Sequence, residues 1–273
     1  MTDSAILAER LTLRRDEHII LDRISLAIPT GAVVGLVGRN GAGKSSLLRC
    51  LAGLTEADSG ASSLLGRPSL DLNDAVRARL GYVSQSPDLF EWMGVAEHLN
   101  LVGRAYPRWT EERCLVLAAR LDLPLNRKVR DLSGGDQQKM AVVMALAHDP
   151  DVLLLDEPVA SLDPLTRQEF MRAMFGERER TIIVSSHILT DLERVVSHVA
   201  FLRKGQLQLF DSWDAMLEHL RLVPASTPGI APDAIVFADK GAPHMVIDTR
   251  RAPSCADAGK AMTLSDLFAE LNK

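Results

Sequence analysis

Gly38-Arg39-Asn40-Gly41-Ala42-Gly43-Lys44-Ser45 decides how this chain is read. It has the form G-x-x-x-x-G-K-[ST], in which glycines let the backbone turn and bring N–H groups up to phosphate oxygens. Before it, Ala32-Val33-Val34-Gly35-Leu36-Val37 is a short apolar run with β-branched residues, which predicts a buried parallel strand. After it, Ser45-Ser46-Leu47-Leu48-Arg49-Cys50-Leu51-Ala52 predicts the opening of a helix. Strand, glycine loop and helix are the context this motif requires. The helix N-terminus adds a partial positive charge. Lys44 supplies a full charge to the β and γ phosphates, and the Ser45 hydroxyl is placed to ligate Mg²⁺. The candidate phosphate-binding set is therefore Gly38, Arg39, Asn40, Gly41, Ala42, Gly43, Lys44, Ser45 and Ser46.

Composition narrows the classes. The 273 residues suffice for one large α/β domain with or without a small appendix. A hydrophobic share of 47% and a charged share of 25% fit a soluble globular chain. The net charge of −5 carries no signature of nucleic-acid binding. Aromatics at 4% argue against stacking platforms for single strands. No apolar run approaches the roughly 18 residues needed to span a bilayer. Met1 to Arg10 contains Asp3 and Glu9 and does not resemble a secretory signal. Cys50, Cys114 and Cys255 are odd in number and widely spaced, which fits neither a disulfide framework nor a zinc site and suits a reducing cytoplasm.

In chain order, 5–13 and 18–28 predict antiparallel strands joined at Arg14-Arg15-Asp16-Glu17, with further strands at Ala61–Leu65 and Arg79–Ser84. From Pro87 to about Asp131 helical patterns replace strands. Cys114, Leu117 and Leu121 share a face, and Thr110 is a plausible N-cap. A helix starts at Ser133-Gly134-Gly135. Val152–Asp156 and Thr181–Ser185 predict buried strands, and Asp163-Pro164 and Thr190–Glu193 predict helix starts. His198–Leu202 and Gln206–Phe210 predict a hairpin. Pro224–Gly229 has the composition of a linker, and beyond it Ala234–Ala238, His244–Asp248 and a short amphipathic helix form a tail.

Four elements answer the glycine loop. Asp156-Glu157 ends a buried strand, at the edge where open α/β sheets bind ligands. Asp156 suits the Mg²⁺ shell, and Glu157 stands where a carboxylate can polarise an attacking water. Leu132-Ser133-Gly134-Gly135 is an anion site at a helix start or an ordinary cap. A second anion site is redundant within one subunit, but it could complete a phosphate site in another. Gln85 and His187 each follow a strand. His148, His198 and His219 are read as structural.

Gly38–Ser45, Gln85, Leu132–Gly135, Leu153–Glu157, Ser161-Leu162-Asp163 and His187 stand in the order and spacing of the ATP-binding cassette of ABC transporters. The chain resembles that family over about residues 5–215. Leu264–Phe268 resembles, more weakly, the ending of multidrug and antibiotic-type exporter ATPases. The resemblance implies an α/β fold of the P-loop NTPase class. Its ABC-type core has a mixed sheet, an antiparallel β subdomain and an inserted helical subdomain at about 87–135. The cassette spans 1–220, and 221–273 is a small α+β extension. It implies ATP and Mg²⁺ as ligands, with Ser45, Gln85 and Asp156 around the metal. Two cassettes pack head to tail, and each ATP lies between one loop and the mate's Ser133, Gly134 and Gly135. Glu157 is implied as catalytic base. His187 stabilises the transferring phosphoryl, Gln85 senses it, and Asp163 links the two sites.

Two positions depart from the pattern. Arg15 stands where the family places an aromatic residue on adenine. A guanidinium can also stack on a base, so weaker but retained adenine binding is expected. Asp136 stands where a glutamine is usual. Its charge disfavours nearby phosphate by roughly 1 kcal/mol, so slower closure of the dimer is expected. The resemblance makes the chain the energising subunit of a transporter, cytoplasmic and held peripherally on the inner face of the membrane by a separate permease. Leu89–Met93 is the implied docking segment, with Phe90, Trp92 and Met93 either packed internally or facing that partner. A soluble ABC-type ATPase acting on nucleic acid or ribosomes is the alternative, disfavoured by the acidic charge.

Overall fold

The computed structural model describes residues 4–159, 164–175, 178–186, 195–238, 242–255 and 259–271. Two long strands open the chain, β1 (Ser4–Arg15) and β2 (His18–Pro29). They form a hairpin that turns at Asp16, whose φ is +55°. With β4 (Ser59–Leu64) and β5 (Arg67–Pro68) they make an antiparallel sheet in the order β2-β1-β4-β5.

The central sheet contains β3 (Val33–Val37), β6 (Leu80–Val83), β7 (Val152–Asp156), β8 (Thr181–Ser185), β9 (His198–Arg203) and β10 (Gln206–Ser212). Its order is β10-β9-β3-β8-β7-β6. All its pairings are parallel except β9 with β10. Both faces are covered, so β3 and the middles of β7 and β8 are apolar without interruption. Side chains still alternate. Val34 of β3, Leu154 of β7 and Ile183 of β8 join the core shared with the antiparallel sheet. Val37, Leu155 and Val184 join the core on the other side.

Among the described residues the α-helices are α1 (Lys44–Leu51), α2 (Asp74–Arg77), α3 (Val95–Gly103), α4 (Glu111–Arg120), α5 (Gly134–Ala147), α6 (Pro164–Phe175), α7 (Trp213–His219) and α8 (Leu264–Leu271). α4 starts where its sequence says it should: the Thr110 side chain accepts from Arg113 N–H, and Glu111 and Glu112 face the positive helix end. Cys114, Leu117 and Leu121 bury into the same core as Met140 and Val143 of α5.

A third sheet, antiparallel and in the order β12-β13-β11-β14, is built from Leu220–Pro224 (β11), Ile235–Phe237 (β12), His244–Asp248 (β13) and Lys260–Ala261 (β14). Pro224–Gly229 is thus a loop inside the C-terminal unit and not a hinge ahead of it. The unit is welded to the cassette. Val246, Met262 and Leu267 belong to the main core. The Arg203 guanidinium lies 4.8 Å from the centre of the Phe237 ring. Arg250 pairs with Asp248 at 2.7 Å and with Asp211 of β10 at 2.6 Å.

Candidate functional site

The carboxyl ends of β3, β6 and β7 surround a cavity of about 460 Å³. Asn40, Gly41, Gly43, Lys44, Ser45 and Ser46 line one side, and Gln85 and Glu157 line the other. The loop fits only as glycine at two points. Gly43 caps α1 at φ +104°, and a Cβ there would stand 2.8 Å from the Ile20 carbonyl oxygen. A Cβ on Gly38 would stand 2.2 Å from the Leu202 carbonyl oxygen. Ala42 is buried and Arg39 points outward.

Lys44 is 94% buried, yet its ammonium is not idle. Nζ donates to the Gly38 carbonyl at 2.8 Å and the Arg39 carbonyl at 3.4 Å, and lies 3.6 Å from Glu157 Oε1. The cation therefore sits between its own loop and the strand-end carboxylate, where a phosphate would compete for it.

Asp156 and Glu157 are held by one hydroxyl. Ser185 Oγ donates to Asp156 Oδ1 at 2.7 Å and accepts from the Glu157 N–H at 2.9 Å. Glu157 has φ +47°, a left-handed conformation that costs a non-glycine residue about 1–2 kcal/mol. That backbone turn aims the carboxylate back at Lys44. Ser185→Ala leaves the Glu157 N–H and an Asp156 oxygen buried without this partner. It should destabilise the protein by about 1–3 kcal/mol, measured as a lower urea midpoint at unchanged slope.

Among the described residues no cluster of three or more His, Cys, Asp or Glu is arranged to hold a metal. Of the three residues expected around the metal, the Ser45 hydroxyl and the Gln85 amide line the cavity, whereas Asp156 lies behind its wall with its carboxylate accepting from Ser185 Oγ. That sparse oxygen set suits Mg²⁺, which keeps waters and takes most other ligands from phosphate.

Ser133, Gly134 and Gly135 open α5 outside this cavity, with Ser133 and Gly134 exposed. Arg15 is exposed at the end of β1, opposite His18 across the hairpin, and does not line the cavity. Asp163 and His187 lie outside the described residues. Met93 is buried at 4% exposure, so of Phe90, Trp92 and Met93 in the segment expected to dock only Phe90 (49%) and Trp92 (70%) face outward. The Met93 carbonyl accepts from Val129 N–H at 3.0 Å, which ties this segment to the turn ahead of α5.

Three residues escaped the motif reading. Ile20 lines the cavity from β2, and only its place in the hairpin could have pointed to it. Ser185 was visible as a polar residue closing an apolar strand. Gln138 is buried in α5 and donates to the Ser84 carbonyl at 3.3 Å, tying that helix to the segment before Gln85.

The family model for ABC transporters matches residues 21–160. The chain is 35% identical to the Nod factor export ATP-binding protein I of Cupriavidus metallidurans, over 70% of this chain and 65% of that protein. It is 31% identical to the protein of the same name from Burkholderia pseudomallei, over 89% of this chain and 82% of the relative. An uncharacterised ABC transporter ATP-binding protein of Synechocystis is 33% identical, with 55% of its length covered. The chain thus spans less than two thirds of the Cupriavidus and Synechocystis relatives. In structure it is similar to an ATP-binding subunit of an ABC transporter, with a TM-score of 0.72, 28% identity, and 78% of this chain and 92% of that one covered. It is also similar to a dimeric post-hydrolysis ATP-binding cassette bound to ADP and Pi, with a TM-score of 0.68 and 25% identity, over 76% of this chain and 98% of that one. On matched residues, relatives and fold together, the chain belongs to the ABC transporter ATP-binding family.

Proposed function

We propose that the chain hydrolyses ATP to energise a separate permease, by closing and reopening a head-to-tail pair of cassettes. The observation that carries this reading is the buried Lys44 ammonium 3.6 Å from Glu157 in a cavity open at the strand ends. Cation and base are already opposed there, with room for a phosphate chain.

The roles follow from position. Loop N–H groups and Lys44 grip the β and γ phosphates. Ser45, Gln85 and Asp156 would hold Mg²⁺, which when bound neutralises charge on the phosphate oxygens. Glu157 accepts the proton of the attacking water. Ser133, Gly134 and Gly135 present a helix N-terminus to the mate's γ-phosphate. Asp163 and His187 are assigned by sequence position, as link between sites and as phosphoryl stabiliser, and Arg15 as an adenine contact made when nucleotide binds. Residues 1–220 are the cassette, with a helical subdomain at about 87–135, and 221–273 an extension of it.

No helix among the described residues is long and apolar enough to cross a membrane. In this reading the permease is a separate chain, and it holds this one on the cytoplasmic face. The relatives named for Nod factor export favour export as the direction. Phe90 and Trp92, with ring centroids 6.1 Å apart and both exposed, form the docking spot. Trp92→Ala should weaken co-purification with the permease by at least about tenfold, a typical loss for an aromatic anchor, and spare ATP binding. Undiminished co-purification would remove the docking assignment.

A further inference from the structure

The helix start meant for the mate's phosphate is already engaged. Ser133 Oγ donates to Asp136 Oδ2 at 2.8 Å and accepts from the Asp136 N–H at 3.1 Å. Lys139 Nζ holds the other carboxylate oxygen at 3.1 Å. Burial raises the Asp136 pKa, but the Ser133 hydroxyl and the Lys139 ammonium outweigh it and hold the carboxyl below its ordinary range. Asp136 is therefore an anion at neutral pH. In front of it the space is open: a Cβ built on Gly134 meets nothing within 4 Å.

A serine hydroxyl carries one proton. While that proton is given to Asp136, Ser133 can offer a phosphate only lone pairs. A bond to a carboxylate is charge-assisted and about twice as strong as a neutral one, so a phosphate must compete with an already charged acceptor for that proton. We propose that Asp136, steadied by Lys139, is a latch on Ser133: it withholds the serine's proton from the mate's γ-phosphate until ATP is plentiful enough to reclaim it. Asp136 is a positioning residue here, since it acts through Ser133 and touches no nucleotide itself. The latch rests on the head-to-tail pairing proposed above. It differs from simple charge repulsion, in which Asp136 would oppose phosphate directly and Ser133 would be a bystander.

A double-mutant cycle in the full chain separates the two. In a Glu157→Gln background, Mg-ATP is titrated and pairing is followed by sedimentation velocity. Asp136→Asn should lower the ATP concentration for half-pairing by about fivefold, a change below one decade in equilibrium constant. The apo melting temperature should stay level or fall, so a firmer helix cannot account for the gain. In a Ser133→Ala background the same substitution should gain less than about twofold. A gain carried undiminished into that background, or no gain with Ser133 present, overturns the latch. Should Ser133→Ala pair too weakly to measure, salt decides instead. A direct hydrogen bond keeps its effect at about 0.5 M NaCl, whereas a screened charge loses it. If neither Glu157→Gln nor its Asp136→Asn derivative pairs with Mg-ATP, the pairing reading falls and the latch with it. Pairing by the first with no gain in the second sinks the latch alone.

Discussion

Glu157→Gln is expected to cut ATP turnover by about 10²–10⁴-fold while leaving ATP binding intact. The side chain is 7% exposed and its backbone is fixed at φ +47° by the Ser185 hydroxyl. The amide keeps that shape but cannot accept the water's proton. Lys44 retains its two carbonyl partners in the loop, so the phosphate cradle survives. Closed pairs should therefore accumulate with Mg-ATP. Turnover within about fivefold of the wild-type rate would place the base elsewhere, since it falls short of what a general base contributes.

Lys44→Ala should act earlier, on binding. A hydrogen bond to a charged group is worth about 1.5–3 kcal/mol. Losing the ammonium that spans two phosphates should then weaken ATP by at least about 10²-fold. Stability changes as well. The substitution removes the cation 3.6 Å from a buried carboxylate, and breaking such a pair from one side costs about 3–5 kcal/mol at the upper end. A Lys44→Ala protein that binds ATP normally by calorimetry would show that the loop is not the phosphate site. A double variant with Glu157→Gln should regain part of the lost melting temperature but none of the affinity.

The strand, glycine turn and helix around Gly38–Ser45 were legible because they are neighbours in the chain. Each is fixed by local chemistry, and Gly43 could be read as glycine by necessity before any contact was known. The Asp156-Glu157 pair was legible for the same reason, from the run of β7. Ser185 and Ile20 were not, because they reach the site from β8 and β2 and only sheet order brings them there. Met93 was read with Phe90 and Trp92 because a run of large apolar residues gives no local hint of which one turns inward. The backbone there pairs with Val129, 36 residues further along in sequence, a contact no local pattern reveals. Pro224–Gly229 misled through composition. Proline and glycine mark a turn, and a turn inside a sheet has the same residues as a tether between domains.

The manner in which the C-terminal unit is attached has a consequence for the nucleotide loop. Its Arg250 grips Asp211 on β10, β10 is hydrogen-bonded to β9, and β9 runs beside β3, the strand that delivers the loop. Leu202 of β9 presents its carbonyl oxygen where a Gly38 side chain would stand. The C-terminal sheet thus braces, from behind, the strand pair against which the loop is folded.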